Sequence, residues 1–293
     1  MSANDTTPLR HVFPSGPPFD GIVAAFTTRH PGRSSPPFGS LNTGLHTGDD
    51  PVRVAENRRI IFDALGLNPN WFTAGKQVHG DHVCRVTARE RGRGAVSYED
   101  AMPATDALIT NTAGIPIGVF TADCVPIFLY DPGQVAVGIA HAGWRSTALS
   151  VACKAVRKMC EEFGSNPGDM WAAFGPSIGP CCYEVARDVY DAFNTGTESL
   201  FLEEAERTKR SGESRRGALS PDLSLFRKTG EGKWHLDLWL ANRRQLVDCG
   251  LGEERIIVTG VCSACNSDEY FSARKLGPRT GRTLSVIAIK PSE

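Results

Sequence analysis

The hydrophobic pattern of this chain is built mostly from short pieces. Gly21 to Thr28, Trp71 to Val78, His82 to Ala88, Ile115 to Thr121, Pro126 to Tyr130 and Val135 to Ala140 are apolar or alternating runs bounded by Gly, Pro or Asp, and each predicts a strand. Met170 to Phe174, Arg255 to Val261 and Thr283 to Ile289 predict three more. Four stretches predict helices. In the first, Asp50 is a good N-cap, Pro51 suits the first turn, Val54, Ile61 and Leu65 form an apolar stripe, and Gly66 is a stop. The second runs from Ser146, as cap, to Phe163 ahead of Gly164. The third covers about Tyr183 to Phe193, and the fourth, Trp234 to Val247, is amphipathic and followed by Gly250.

Two segments fall outside this pattern. Arg29 to Asp50 is dense in Pro, Gly, Ser and Asn and long for a passive connection, which suits a loop lining a site. Glu203 to Gly232 is polar, charged and without apolar period, so it reads as a surface insertion; too little chain follows it to build an independent core. Strands and helices mix without regular βα alternation, which disfavours a doubly wound parallel fold. The expected class is α+β, a single domain over residues 1–293 with its core at about 21–290.

Composition narrows the partners. The 293 residues are 41% hydrophobic and 22% charged, enough for a real core. Thirty-two basic residues nearly cancel 33 acidic ones, leaving net charge -1, which argues against a broad nucleic-acid or membrane surface. Met1 to Asp5 is polar, and no apolar run approaches the ~20 residues of a bilayer span, so the expected location is the cytoplasm. Nine cysteines in such a chain read as thiols or metal ligands before disulfides, and an odd count leaves at least one unpaired.

The candidate chemistry lies at strand ends. Lys76-Gln77-Val78-His79-Gly80-Asp81-His82, Thr121-Ala122-Asp123-Cys124-Val125-Pro126 and Ala140-His141-Ala142-Gly143-Trp144-Arg145 each place a His or Cys where a predicted strand gives way to a loop. Imidazole and thiolate both suit zinc, and three protein ligands leave the fourth position open, the pattern of a catalytic site. Spacing alone leaves the plainer alternative standing: a small buried Cys and two satisfied His residues. His82 shares a face with His79 on a helix but not on a strand.

Two weaker features accompany them. Cys262-Ser263-Ala264-Cys265 is a CxxC, and adjacent Cys181-Cys182 could add ligands, but buried thiols are the favoured reading over a second structural zinc. Arg58, Arg145, Arg274 and Arg282 sit in loop or glycine-rich contexts where guanidinium groups can grip phosphate. Gly175-Pro176-Ser177-Ile178-Gly179-Pro180 could aim backbone amides at an anion, but it lacks the lysine of a Walker loop.

Taken together the segments resemble the laccase-domain family, also called YfiH-like or polyphenol-oxidase-like. Val78-His79-Gly80, Ala122-Asp123-Cys124, His141-Ala142-Gly143-Trp144-Arg145 and Gly175 to Val185 occur in order, followed by Asp237-Leu238, Asn242 to Leu246, Phe271-Ser272 and Thr280-Gly281-Arg282. The resemblance runs from about Gly21 to the C-terminus. It implies mixed β-sheets layered with helices and one zinc per chain on His79, Cys124 and His141. It implies phosphorolysis of adenosine, inosine and methylthioadenosine, and deamination of adenosine, so the expected partners are small-molecule nucleosides and phosphate. One departure is visible. Where members often read Phe-Ser-Tyr-Arg-Arg-Asp-Gly, this chain has Phe271-Ser272-Ala273-Arg274-Lys275-Leu276-Gly277, keeping the arginine but not the aromatic or the Asp.

On this reading Asp123, beside Cys124, is the acid/base candidate by proximity, and Arg58, Arg145 and Arg274 are candidates for substrate or phosphate binding. The usual zinc-deaminase signature, HxE with PCxxC, is absent. The rivals are a copper-dependent polyphenol oxidase, a peptidoglycan-precursor editing amide hydrolase, and a cysteine hydrolase with Cys124 as nucleophile and His79 or His141 as base. Copper suits the same ligands, although a multicopper oxidase needs more than the seven histidines present.

Overall fold

The computed structural model describes residues 8–193 and 225–291. Its strands are β1 (Leu9–His11), β2 (Ile22–Thr27), β3 (Thr73–Ala74), β4 (Val83–Arg85), β5 (Ala107–Thr110), β6 (Ile117–Thr121), β7 (Val125–Asp131), β8 (Ala136–Ala142), β9 (Trp171–Phe174), β10 (Glu184–Ala186), β11 (Phe226–Gly230), β12 (Lys233–Leu236), β13 (Ile256–Val258) and β14 (Thr283–Ile289). The helices are α1 (Pro51–Leu65), α2 (Trp144–Ala148), α3 (Val151–Phe163), α4 (residues 187–193), α5 (Leu238–Asp248) and α6 (Ala273–Leu276). The expected α+β class is what forms.

Period-two alternation sorts these elements into layers. Along β7, Phe128 and Tyr130 point into one apolar cluster, and Val125, Ile127 and Leu129 into another. The first cluster joins β7, β8 and β9 to β2, β6 and β14, so a six-stranded sheet (β13-β9-β7-β8-β5-β4) packs on a five-stranded one (β1-β2-β14-β6-β3). The second cluster fills the far face of the six-stranded sheet with α3 and α5, and a third places α1 through Ile61 and Phe62 on the far face of the other. Because β7, β8 and β14 are buried on both faces, they are apolar at nearly every position. Each fully buried Phe or Leu of these layers stabilises the fold by about 1.5–3 kcal/mol. Sheet three, β10-β12-β11, is small and antiparallel.

Local chemistry explains most boundaries. Asp50 accepts the Val52 N–H at 2.9 Å, and Gly66, at φ 66°, closes α1. The long helix expected from Ser146 is two, because left-handed Ser150 (φ 59°) breaks it; Ser146 lies buried inside α2 and is no cap. The fourth predicted helix starts later. Trp234 is in β12, opposite Val185 and stacked on Tyr190, and Asp237 caps α5 by accepting the Leu240 N–H at 2.9 Å. Tyr183 likewise precedes a strand, β10, and only residues 187–193 of the third stretch are helical. At the end of the stretch expected to be a surface insertion, 203–232, the largely exposed Phe226–Gly230 pairs with β12; residues 203–224 lie outside the described residues.

One cysteine expectation also fails. Cys153 on α3 and Cys249 just past α5 are joined by a disulfide, with Cα atoms 5.9 Å apart, so not every cysteine is a thiol. The two helices pack on one another, which brings the pair within bridging range. Among the described residues no helix is long and apolar enough to cross a membrane.

Candidate metal centre

The antiparallel register of the six-stranded sheet assembles the centre. Pairing of Ala107 with Ala140 puts Asp106, just before β5, beside His141 in β8. Pairing of Val125 with Ala142 puts Cys124, just before β7, beside Gly143. His79 enters from the loop between β3 and β4. The ligand atoms of His79, Cys124 and His141 all lie within 4.8 Å of one another, with Cys124 Sγ 3.8 Å from His79 Nε2. Sequence reasoning named these three together, and the fold brings them together. His82 stays apart, with Nδ1 3.2 Å from the Thr105 hydroxyl.

Asp106 organises the group. Its buried carboxylate lies 2.8 Å from His141 Nδ1, which leaves Nε2 for the centre. It also accepts the backbone N–H groups of Val78, His79 and Gly80 at 3.1, 3.0 and 2.8 Å. Those bonds hold His79 in the left-handed region, at φ 59°. Strain of this kind costs on the order of 1–3 kcal/mol and persists only where the surroundings impose it. Close approach is secured at Gly143, where a Cβ would lie 2.9 Å from both Cys124 Sγ and His79 Cδ2.

The electrostatics form a relay. Burial opposes a thiolate at Cys124, but the positive charge of His141 and hydrogen bonds from both imidazoles prevail and bring it down to about 6. Burial likewise opposes the imidazolium at His141, yet the Cys124 thiolate and the hydrogen bond to Asp106 push it up to about 9. Asp106 lies below the usual carboxylate range: burial would raise it, and the His141 hydrogen bond and charge, with the backbone N–H groups, outweigh that.

The remaining sequence candidates take different places. Asp123, left-handed at φ 106°, accepts from the Ser263 hydroxyl at 2.7 Å and from the Arg274 N–H at 2.7 Å, so both oxygens are engaged in holding the loop. Arg274 spends Nη1 on the carbonyls of Cys182 and Glu184 and stacks over Tyr183. Arg145 is exposed, with its guanidinium 4.1 Å from the centre of the Trp144 ring. Arg58 is the correction. It lies in the middle of α1, away from the free N–H groups of the first turn, and is buried against Phe72 and Phe120. Its Nε and Nη1 donate to the carbonyls of Thr43, Gly94 and Ala95 at 2.9, 2.7 and 2.7 Å.

Gly143 stood in a sequence motif without a role of its own, and Asp106 and His46 escaped the sequence reading. Asp106 did so because Ala107–Thr110 was not recognised as a strand; the signal was an acidic residue opening an apolar run. His46 belongs to the 29–50 loop, as that loop's expected role requires. Its ring is exposed at the surface yet lies beside Tyr98 and Phe120, and the desolvation there, then the charges of Arg282, Arg58 and His141, lower it to about 4. Burial lowers Arg282 from its ordinary value, against the charges of Cys124 and Asp123, and its Nη1 donates to the carbonyls of Thr280 and Gly281 at 2.7 and 3.0 Å.

Comparison with known proteins agrees with this geometry. Residues 23–290 match the family model described as multi-copper polyphenol oxidoreductase laccase. The chain belongs to this laccase-domain family. Its laccase-domain relatives include purine nucleoside phosphorylase YlmD of Bacillus subtilis, 37% identical over 92% of this chain and 89% of that protein. Adenosine deaminase RL5, from an unknown prokaryotic organism, is 34% identical over 92% and 94%. The crystal structure of YlmD from Geobacillus stearothermophilus superposes with a TM-score of 0.83 at 38% identity, covering 94% of each chain. The laccase-domain layering is thus shared with solved relatives.

Proposed function

We propose that the chain is a purine nucleoside phosphorylase that also deaminates adenosine, acting at one zinc ion held by His79, Cys124 and His141. The observation that carries this reading is the donor set itself. Two imidazoles and a depressed thiolate converge within 4.8 Å, a buried carboxylate orients one imidazole, and no fourth His, Cys or carboxylate joins them among the described residues. That composition fits zinc in an open, catalytic site. Zinc there would supply Lewis acidity beside a bound purine nucleoside. The names of the relatives, a phosphorylase and a deaminase, support the substrate class.

The chain's own residues divide the rest of the work. Asp106 fixes the His141 tautomer and the His79 backbone. Asp123 braces the loop that carries Cys124. Arg145 and Arg282 would supply positive charge for a phosphate dianion, and His46, held neutral beside Tyr98 and Phe120, would offer an uncharged ring for stacking. In phosphorolysis a phosphate oxygen bonds to the ribose C1′ while the C1′–N9 bond breaks and the purine leaves with a proton. In deamination water adds at C6 and ammonia leaves. Adenosine, inosine and methylthioadenosine are the substrates proposed, and the cytoplasm is the proposed location.

The test is a nucleoside panel run with and without phosphate on metal-quantified protein. Ribose 1-phosphate and free base only when phosphate is present, with inosine formed from adenosine in its absence, is the result expected. Turnover of phenols with oxygen, or of a muropeptide amide without any nucleoside turnover, would overturn it.

A further inference from the structure

The second cysteine group of the sequence closes on itself in three dimensions. The sulfur atoms of Cys181, Cys182, Cys262 and Cys265 all lie within 4.8 Å of one another. Cys265 Sγ is 3.6 Å from Cys181 Sγ and 3.4 Å from Cys182 Sγ. These are not disulfides, whose sulfurs stand about 2.05 Å apart. They are close to the edges of a tetrahedron: four sulfurs each about 2.3 Å from a central zinc stand roughly 3.8 Å from one another.

The backbone is arranged for the same end. Ser177 and Cys262 form an isolated parallel bridge, with the Ser263 N–H donating to the Ser177 carbonyl at 3.0 Å, and this fastens the loop 177–183 to the loop 261–266. A turn closed by Cys182 N–H to the Gly179 carbonyl at 3.0 Å lets two adjacent cysteines face one point, which adjacent residues on a strand cannot do. Cys262 Sγ also accepts the Gly179 N–H at 3.2 Å, which fixes that sulfur against the loop carrying Cys181 and Cys182. Glycine is required at 179, since a Cβ would lie 2.8 Å from the Trp239 ring and 3.3 Å from Cys181 Sγ. Cys262 is buried while Cys181 and Cys265 are exposed, so an ion has a way in.

We propose that Cys181, Cys182, Cys262 and Cys265 form a closed tetrathiolate centre for a second, structural zinc ion. Four soft thiolates and no oxygen donor select zinc over the hard divalent cations. Its role follows from what the two loops carry. Ser263, between the paired cysteines, holds the Asp123 carboxylate, and the Ile178 N–H donates to the Asp123 carbonyl at 2.7 Å. Asp123 precedes Cys124 of the first centre. The second ion therefore clamps the two loops that brace Cys124, and it takes no part in turnover. The proposal does not depend on the function proposed above.

Zinc is counted per chain by elemental analysis of the wild type, Cys124→Ala and the double variant Cys181→Ser/Cys265→Ser. Two equivalents in the wild type and one in each variant is the expected result. One equivalent in the wild type that survives Cys124→Ala also supports the tetrathiolate centre while sinking the first one. A wild type whose zinc vanishes entirely with Cys124→Ala would overturn the proposal, as would a disulfide among the four cysteines in zinc-replete protein. Should the double variant fail to fold, cobalt-loaded Cys124→Ala decides: it lacks the first centre's thiolate, so sulfur-to-cobalt charge transfer must come from these four cysteines, and its absence overturns the assignment.

Discussion

The Asp106 carboxylate stands 2.8 Å from His141 Nδ1 and binds the N–H groups on either side of His79 as well, so one buried side chain aims two of the three candidate ligands. Asp106→Asn keeps the volume but replaces one acceptor oxygen with a donor, which meets N–H groups head on. Loss of such an outer partner typically costs metal affinity about 10–100-fold. Chelator competition should show a fall of that size, with the folded far-ultraviolet spectrum retained. Unchanged affinity would remove Asp106 from the design of the centre.

In metal-free protein the thiolate of Cys124 is the deprotonated form, so its population grows as pH rises through about 6. Alkylation of Cys124 by iodoacetamide should climb across that range and level off near neutrality. Cys84, where burial pushes the thiol above its ordinary value, should stay slow there. Mass spectrometry of the modified peptides separates the two. A Cys124 curve that rises only near the ordinary value of 9.0 would contradict the pairing with His141.

Gly143→Ala puts a methyl group 2.9 Å from both Cys124 Sγ and His79 Cδ2 while asking nothing of the backbone, whose φ is -70°. The His79 ring must swing away. We expect zinc occupancy to drop well below that of the wild type and catalysis with it, while the metal-stripped proteins melt within a few degrees of each other. Full occupancy would show that His79 has room to spare.

Two arginines should separate structure from phosphate binding. Arg58→Ala leaves three buried carbonyls without their donor, which should destabilise the fold by about 2–4 kcal/mol in chemical denaturation. Any activity lost should fall equally on phosphorolysis and deamination. Arg145→Ala, at an exposed site, should leave stability alone and raise the phosphate requirement about tenfold, or ~1.4 kcal/mol, with adenosine deamination unchanged. Equal effects of Arg145→Ala on both reactions would place it on the nucleoside.

What could be read from the sequence was what short-range chemistry decides. Asp50 and Gly66 bound α1 because a cap and a left-handed stop are local features. β14 was legible end to end because five of its seven residues are apolar and close together in the chain. Trp234 was misread because its strand exists only through Val185 and Tyr190, distant in the chain. His79, Cys124 and His141 were found as strand-end ligands and then joined by family resemblance. Asp106 left only a faint local signal, an acidic residue opening the apolar run Ala107–Thr110, because its role comes from a cross-strand neighbour, His141, that no local window contains. Arg58 looked available for an anion because carbonyls from Thr43 and the 94–95 turn leave no trace in sequence.

The position of β14 has a consequence for how the protein is made. Residues 283–289 pair with β2 on one side and β6 on the other, at the middle of the five-stranded sheet. A nascent chain on the ribosome therefore presents β2 and β6 as two unsatisfied, apolar edges until those late residues leave the exit tunnel. Sheet closure must wait for nearly the whole described chain, and such long-range pairing is slow. Exposed edges of that kind invite pairing with other chains. Translation arrest or premature termination upstream of residue 283 should hence yield a product that holdase chaperones bind and that aggregates on release.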